Sequence, residues 1–143
     1  MSHPILIREF SFPEDYPVVC RLWSLAGPGI HLRRSDEPDE IQKKLQRDPD
    51  LFLLAEYEGT VVGAVLGGFD GRRGLVYHLA VAENHRNQGV GALLMEELEK
   101  RLRAKGCIRT YLLVTRDNAE AIAFYEKGGW QKMDLYVYGK DIA

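Results

Sequence analysis

The hexapeptide Arg86-Asn87-Gln88-Gly89-Val90-Gly91 has the composition of an anion-binding loop. An apolar strand pattern precedes it and a long amphipathic helix pattern follows it. Its backbone N–H groups would therefore point outward at a helix N-terminus, where the helix dipole favours negative charge. Gly89 and Gly91 lack a Cβ atom, which lets a phosphate approach the main chain closely. The loop could therefore hold a phosphate, or it could be a plain strand–helix connection that uses glycine for its geometry.

The residues after Gly91 exclude two common nucleotide-binding loops. A Walker loop needs Lys and then Ser or Thr after its second glycine, but Ala92 and Leu93 stand there. A dinucleotide-binding loop has the spacing G-x-G-x-x-G, and only G-x-G is present here. The remaining pattern is R-x-x-G-x-G.

Asn118 and Tyr125 form a second pair of candidate ligand-binding residues. They are seven residues apart in a helical pattern, so they would lie two turns, about 10 Å, apart on one face. One extended ligand could contact both. Two alternatives stay open. Asn118 could be the helix N-cap, although Asp117 and Glu120 have capping-box spacing, and Tyr125 could pack in the core with its hydroxyl at the edge.

The patterns around these residues predict a scaffold of strands and helices. Their order, β-α-α-β-β-β-α-β-α-β-β, indicates a mixed, mostly antiparallel α/β sheet of six or seven strands with about four helices on both faces. Glu58-Gly59 predicts a tight hairpin turn. The predicted strands are 5–10, 51–57, 60–69, 75–81, 111–115, 130–133 and 136–140, and the predicted helices are 14–26, 38–47, 90–105 and 119–127.

Length and composition limit the possible classes of protein. The 143 residues suit one domain spanning 1–143, and the net charge of −2 argues against a general nucleic-acid binder. No apolar run is long enough for a membrane helix and the N-terminus lacks a signal-peptide core, so we expect a cytoplasmic protein. Cys20 and Cys107 are interpreted as reduced structural thiols. Without C-x-x-C or a His/Cys cluster, no metal site is expected.

Two blocks of the sequence resemble the GNAT N-acetyltransferase superfamily. Residues 78–94, HLAVAENHRNQGVGALL, resemble its pyrophosphate block, and residues 117–130, DNAEAIAFYEKGGW, resemble its N…Y…G-[FW] block. The order and separation of the blocks are those of the family, and the resemblance covers nearly the whole chain. Within the superfamily, residues 51–56 and 67–74 resemble the small bacterial YpeA-type subgroup.

The resemblance implies acetyl-CoA as the co-substrate. In the family, the strand before the glycine loop splays from the next parallel strand, and its freed backbone groups bind pantetheine as a partner strand would. The diphosphate would lie on N–H groups in the loop. Tyr125 would lie beside the sulfur and protonate the departing thiolate. The implied cofactor contacts are Leu79, Ala80, Val81, Arg86, Asn87, Gln88, Gly89, Val90, Gly91, Ala92, Asn118 and Tyr125.

The general base is not identified by the resemblance. Some family members, including the ribosomal-protein alanine acetyltransferases, carry a glutamate on the strand after the long helix, but Leu113 stands at that position. This departure argues against that mechanism and that substrate. His78 and Tyr77 are the local substitutes for the base, although a strand histidine can equally be a structural hydrogen-bonding group. A water chain reaching Glu56, Asp70 or the surface is a third possibility.

Acceptor specificity in this family usually lies in the loop between the first two helices and near the C-terminus. Here the loop contains His31, Arg33 and Arg34. Two arginines would favour an acceptor with a carboxylate. They could equally be solvated surface residues.

The expected function is acetyl-CoA-dependent N-acetyl transfer to a primary amine of a small molecule or peptide. Neither cysteine lies in the two blocks, which favours direct transfer over a covalent intermediate. The alternative is an acyl-CoA-binding regulatory module with little turnover. The expected partner is the amine acceptor, with no nucleic acid and no membrane, and we expect a monomer or homodimer.

Overall fold

A five-stranded sheet forms the centre of the structure, a computed structural model that describes residues 4–27, 30 and 32–143. The first four strands are antiparallel neighbours in sequence order, and the fifth runs parallel to the fourth. The parallel pair requires a crossover, which the third helix supplies. The strands are β1 Leu6–Glu9, β2 Phe52–Tyr57, β3 Thr60–Phe69, β4 Gly74–Val81 and β5 Thr110–Leu112; the helices are α1 Tyr16–Ser24, α2 Pro38–Arg47, α3 Val90–Ala104 and α4 Ala119–Lys127; and 3-10 turns span Arg34–Asp36 and Glu83–His85.

The sheet is covered on both faces, as the sequence predicts. Strand β2 is buried along both sides, because Leu53 and Ala55 belong to the core beneath α3 while Phe52 and Leu54 belong to the core beneath α1 and α2. Helix α4 lies on the α3 side, where Phe124 packs against the first core. None of the helices in the described ranges is long and apolar enough to cross a membrane.

Two features that depend on glycine, a turn and a close contact, determine the geometry of β3. Glu58 and Gly59 both have positive φ, 51° and 78°, which is the backbone of a type I′ hairpin turn and confirms the predicted turn. At the other end of β3, a Cβ on Gly67 would lie 2.6 Å from Cδ1 of Leu98. Only glycine therefore lets α3 approach the sheet this closely.

The prediction of two strands at the C-terminal end of the chain is wrong. Residues 130–133 and 136–140 are not strands, and no backbone hydrogen bond within the described ranges joins residues 131–143 to the sheet. The side chains of Tyr138 and Ile142 are 92% and 90% exposed. A strand pattern expresses a preference for pairing, but a ladder also needs a matching edge, and β5 offers three residues. The described sheet consequently has five strands instead of six or seven; the four helices agree with the prediction.

Candidate functional site

The N-terminus of α3 presents unpaired backbone donors. Its N-cap, Gly89, has a left-handed conformation with φ 84° and has no side chain to bond the first turn. The first intrahelical bond runs from Leu93 N–H to Gly89 O at 3.0 Å. The N–H groups of Val90, Gly91 and Ala92 come before that bond and lack intrahelical partners. With the helix dipole, these three donors fit a phosphate group.

Arg86 holds the loop before α3 in place from within the protein. Its Nε donates to Val81 O at 3.1 Å, and its Nη2 lies 3.5 Å from Leu25 O, which joins the loop to the end of β4 and to the end of α1. Gln88 is exposed and its amide donates to Asn84 O at 3.4 Å. Arg86 and Gln88, which are both predicted to contact a cofactor, thus also form hydrogen bonds within the protein.

Strands β4 and β5 splay apart, as the resemblance implies. They pair from Gly74 to Val76, and Val76–Leu112 is the last pair. Strand β4 continues to Val81, whereas the chain after β5 turns away and leaves Leu113 65% exposed. A cleft of about 980 Å³ opens between the diverging segments and runs along α3 and α4. One edge of β4 is therefore available to an extended ligand.

Most of the predicted contact residues meet in this cleft, but a few do not. Gln88, His78, Arg33 and Arg34 are not part of its wall, and His31 lies outside the described residues. The predicted residues that line the cleft are Tyr77, Leu79, Ala80, Val81, Arg86, Asn87, Gly89, Val90, Gly91, Ala92, Asn118 and Tyr125. The strand, the loop and α4 thus contribute to one continuous surface.

Tyr125 stands in the cleft wall within an aromatic cluster. Its ring contacts Phe124 and Trp130 edge-on, with centroids 5.2 and 6.0 Å apart. Burial raises the pKa of its phenol to about 12, because a phenolate would lose its hydration there. The hydroxyl therefore keeps its proton throughout the neutral pH range. Tyr125 packs on the core and also lines the cleft, so the core position does not keep it from contacting a ligand.

Asn118, not Asp117, caps α4. The Oδ1 atom of Asn118 accepts a hydrogen bond from the N–H of Ala121 at 3.2 Å. The amide nitrogen of Asn118 is not used by this bond and remains a donor at the cleft. Capping and ligand contact are therefore compatible for this side chain.

Gly91 has a second role that the motif alone does not reveal. A Cβ at this position would lie 3.2 Å from Cζ of Phe124 and 3.8 Å from Cδ2 of Leu79. The glycine thus brings α3, α4 and β4 together at the base of the cleft. Other cleft residues outside the motif blocks include Glu96 and Glu99, and burial raises the pKa of the Glu99 carboxyl.

A β-bulge in β4 determines which way the predicted base points. Leu66 pairs with His78 but Gly67 pairs with Val76, so Tyr77 is an extra residue in β4. Val76 faces the α3 core, whereas Tyr77 lies over Gly68 beside Lys44 of α2. His78 also faces the α1–α2 side.

Asp36 is a site candidate that sequence reasoning missed. Its carboxylate is buried and lies 2.9 Å from Nε2 of His78. The two residues are 42 positions apart in the sequence, so no local pattern signals this contact. Arg33 and Arg34 beside it are exposed, and Arg34 donates to the backbone oxygen of Ala143.

The described residues contain no group of three or more His, Cys, Asp or Glu side chains suited to a metal ion. Cys20 and Cys107 are both free thiols, and neither lines the cleft. Cys107 instead donates to Arg109 O at 3.2 Å.

Comparisons with known proteins agree with this geometry. The sequence profile of the acetyltransferase (GNAT) family matches residues 16–130. An acetyltransferase of Pectobacterium atrosepticum is 41% identical over 128 residues, covering 89% of each chain. Ard1 from Thermoplasma volcanium superposes with a TM-score of 0.79 at 29% identity, covering 91% of this chain and 84% of that one.

A second solved structure shares the fold. PaiA N-acetyltransferase from Thermoplasma acidophilum, determined in complex with coenzyme A, superposes with a TM-score of 0.78 at 22% identity, covering 93% of each chain. The predicted fold class and the predicted enzyme class, an N-acetyltransferase, are confirmed. Because the family profile matches most of this chain, the chain belongs to the acetyltransferase (GNAT) family.

Proposed function

We propose that this protein transfers an acetyl group from acetyl-CoA directly to a primary amine of a small molecule or peptide. The observation that carries the proposal is the continuous cleft, which has unpaired N–H donors of α3 at one end and the protonated phenol of Tyr125 in its wall. Acetyl-CoA supplies an activated acetyl thioester. The coenzyme A complex of the structural relative supports this choice of donor.

The residues of the cleft suit the parts of acetyl-CoA. The N–H groups of Val90, Gly91 and Ala92 would hold the diphosphate at the start of α3. The free edge of β4 from Leu79 to Val81 would pair with the amide groups of pantetheine, because that edge has lost its β5 partner. The Asn118 amide would be a further donor along the arm.

Tyr125 suits the role of general acid. Overall, transfer forms a C–N bond and breaks the thioester C–S bond, so the amine loses a proton and the departing sulfur gains one. Tyr125 retains its proton at neutral pH because its pKa is raised to about 12. A thiol has an ordinary pKa near 8.5, so even partial donation is sufficient. The placement of both cysteines outside the cleft supports direct transfer.

Two measurements on the purified protein test the proposal. Calorimetry should detect acetyl-CoA binding, and a thiol-release assay with a panel of amines, peptides and carboxylate-bearing amines should show turnover with some of them. Binding without thiol release from any amine would favour a regulatory module. Absence of acetyl-CoA binding would overturn both readings.

A further inference from the structure

Asp36 and His78 form a well-defined pair on the face of the sheet that carries α1 and α2. Nε2 of His78 lies 2.9 Å from Oδ1 of Asp36, and the two side chains are only 15% and 9% exposed. The other carboxylate oxygen accepts the N–H of Arg33 at 3.0 Å. The ring of Trp23 contacts the imidazole edge-on, with centroids 5.0 Å apart. The orientation of the imidazole is therefore held from two sides.

The hydrogen bond assigns the proton of the neutral imidazole. Burial would raise the pKa of the Asp36 carboxyl, but the bonds from His78 and from the Arg33 N–H outweigh it and hold that pKa below its ordinary value. An ionised carboxylate only accepts hydrogen bonds, so Nε2 must carry the proton. Nδ1 is then left with its lone pair, and no residue of the described ranges bonds to it.

His78 lies directly behind the wall of the cleft. Tyr77 and Leu79, its neighbours in β4, both line the cleft, and so does Ala80. The β-bulge turns Tyr77 and His78 toward the same face, and the half-exposed Tyr77 also lines the cleft. An amine entering from the α1–α2 side would meet this part of β4.

We propose that Nδ1 of His78 accepts the proton of the attacking amine and that Asp36 is the positioning residue that keeps Nδ1 unprotonated. This inference rests on the proposed acetyl transfer. The amine nitrogen uses its electron pair for the new C–N bond and gives its proton to Nδ1. The C–S electron pair leaves with sulfur, which takes the proton of Tyr125. Asp36 stabilises the resulting imidazolium, and the protons re-equilibrate with water afterwards.

The substitution Asp36→Asn tests the positioning role. An asparagine amide would donate to Nε2, which would move the imidazole proton to Nδ1 and block proton uptake. We expect kcat to fall about 100-fold while the acetyl-CoA Kd changes by less than about twofold. His78→Gln, which keeps a donor toward Asp36 but has no basic nitrogen, should lose a similar factor. Asp15→Asn is the matched control, since Asp15 is equally buried and paired with Arg8; it should lose stability but keep kcat.

Nitrogen-15 NMR of the His78 imidazole reports which ring nitrogen carries the proton. For a purely structural histidine, a change of tautomer would not be accompanied by a loss of kcat. The wild-type protein should show a protonated Nε2 and an unprotonated Nδ1, and Asp36→Asn should reverse them. An Nδ1–H tautomer in the wild type overturns the inference, even if Asp36→Asn does not fold. A wild-type kcat in His78→Gln overturns the inference about His78 but leaves the proposed acetyl transfer standing. Absence of turnover in the wild type overturns the proposed acetyl transfer.

Discussion

The pairing of Val76 with Leu112 is the last contact of the β4–β5 ladder, and the cleft begins immediately beyond it. The extra residue in β4, Tyr77, comes next along the strand. The splay and the bulge therefore coincide. The splay leaves an edge of β4 without a β5 partner, and the bulge turns Tyr77 and His78 toward α1 and α2. Under the proposed function, the donor and the acceptor would approach this short segment of β4 from different sides.

Gly89→Asp should weaken acetyl-CoA binding about 10- to 100-fold. The new carboxylate would stand at the N-cap of α3, where it would bond the first-turn N–H groups and repel a diphosphate. A tenfold change in Kd corresponds to about 1.4 kcal/mol. Calorimetric titration with acetyl-CoA measures the change.

Gly71→Asp is the matched control for that substitution. Both glycines have positive φ, 84° and 98°, and neither has an atom within 4 Å of a built Cβ. The backbone strain and the added charge are thus alike, but Gly71 is not part of the cleft. Equal loss of affinity in the two variants would show that general strain, rather than the anion site, causes the effect.

Tyr125→Phe should lower kcat by about 100-fold and leave acetyl-CoA affinity nearly unchanged. The phenyl ring preserves the edge contacts with Phe124 and Trp130, so the fold should be retained. The pKa of about 12 also predicts that ionisation of Tyr125 causes no loss of activity below about pH 11. Steady-state kinetics on the variant and a pH–rate profile of the wild type measure both effects. An unchanged kcat in the variant would remove Tyr125 from proton transfer.

Gly67→Ala should destabilise the fold by about 1–3 kcal/mol, because its Cβ would lie 2.6 Å from Leu98 and force α3 away from β3. Thermal unfolding should show a decrease in Tm of about 2–4 °C per kcal/mol. The control is Gly139→Ala, where nothing lies within 4 Å of the built Cβ and no positive φ is required. A Tm equal to wild type in Gly67→Ala would contradict the close contact.

The Arg8 cluster predicts acid sensitivity. Arg8 bonds both oxygens of Asp15 at 2.7 and 2.8 Å and also bonds Glu56. The hydrogen bond from the Arg8 guanidinium lowers the pKa of the Asp15 carboxyl. Burial acts in the opposite direction, and the hydrogen bond from the Ser11 N–H lowers the pKa further. Because the folded pKa lies below the unfolded value of about 3.9, this stabilisation is complete above that value and is lost as pH falls through the lowered folded pKa.

Arg8→Met tests this prediction through the free energy of unfolding. At pH 7 we expect a loss of about 2 kcal/mol, since the buried Asp15 carboxylate is left without its cation. Below the lowered pKa the difference from wild type should shrink, because Asp15 is then neutral in both proteins. Lys43→Met removes an exposed pair with Glu40 and should change the unfolding free energy by less than about 0.5 kcal/mol at either pH.

Local patterns predicted the elements that are built from short-range preferences. The long helix α3 follows from leucines recurring at helical spacing, and the I′ hairpin follows from Glu58-Gly59. The strand pattern of residues 136–140 failed, because pairing depends on an edge elsewhere in the chain. Asn118 was resolved as the cap only by its bond to Ala121.

Residue types along the chain were sufficient to predict the glycine-containing loop before α3, the order of the main elements and the resemblance that implies the donor. These depend on residue types at close spacing, which local backbone geometry turns into structure. Three further relationships became visible in the folded chain: Asp36 contacts His78, 42 positions away; Tyr77 is an extra residue in β4; and the splay begins after Val76. Such relationships depend on register and packing between distant segments, because a one-residue shift in a strand reverses the face of every side chain that follows.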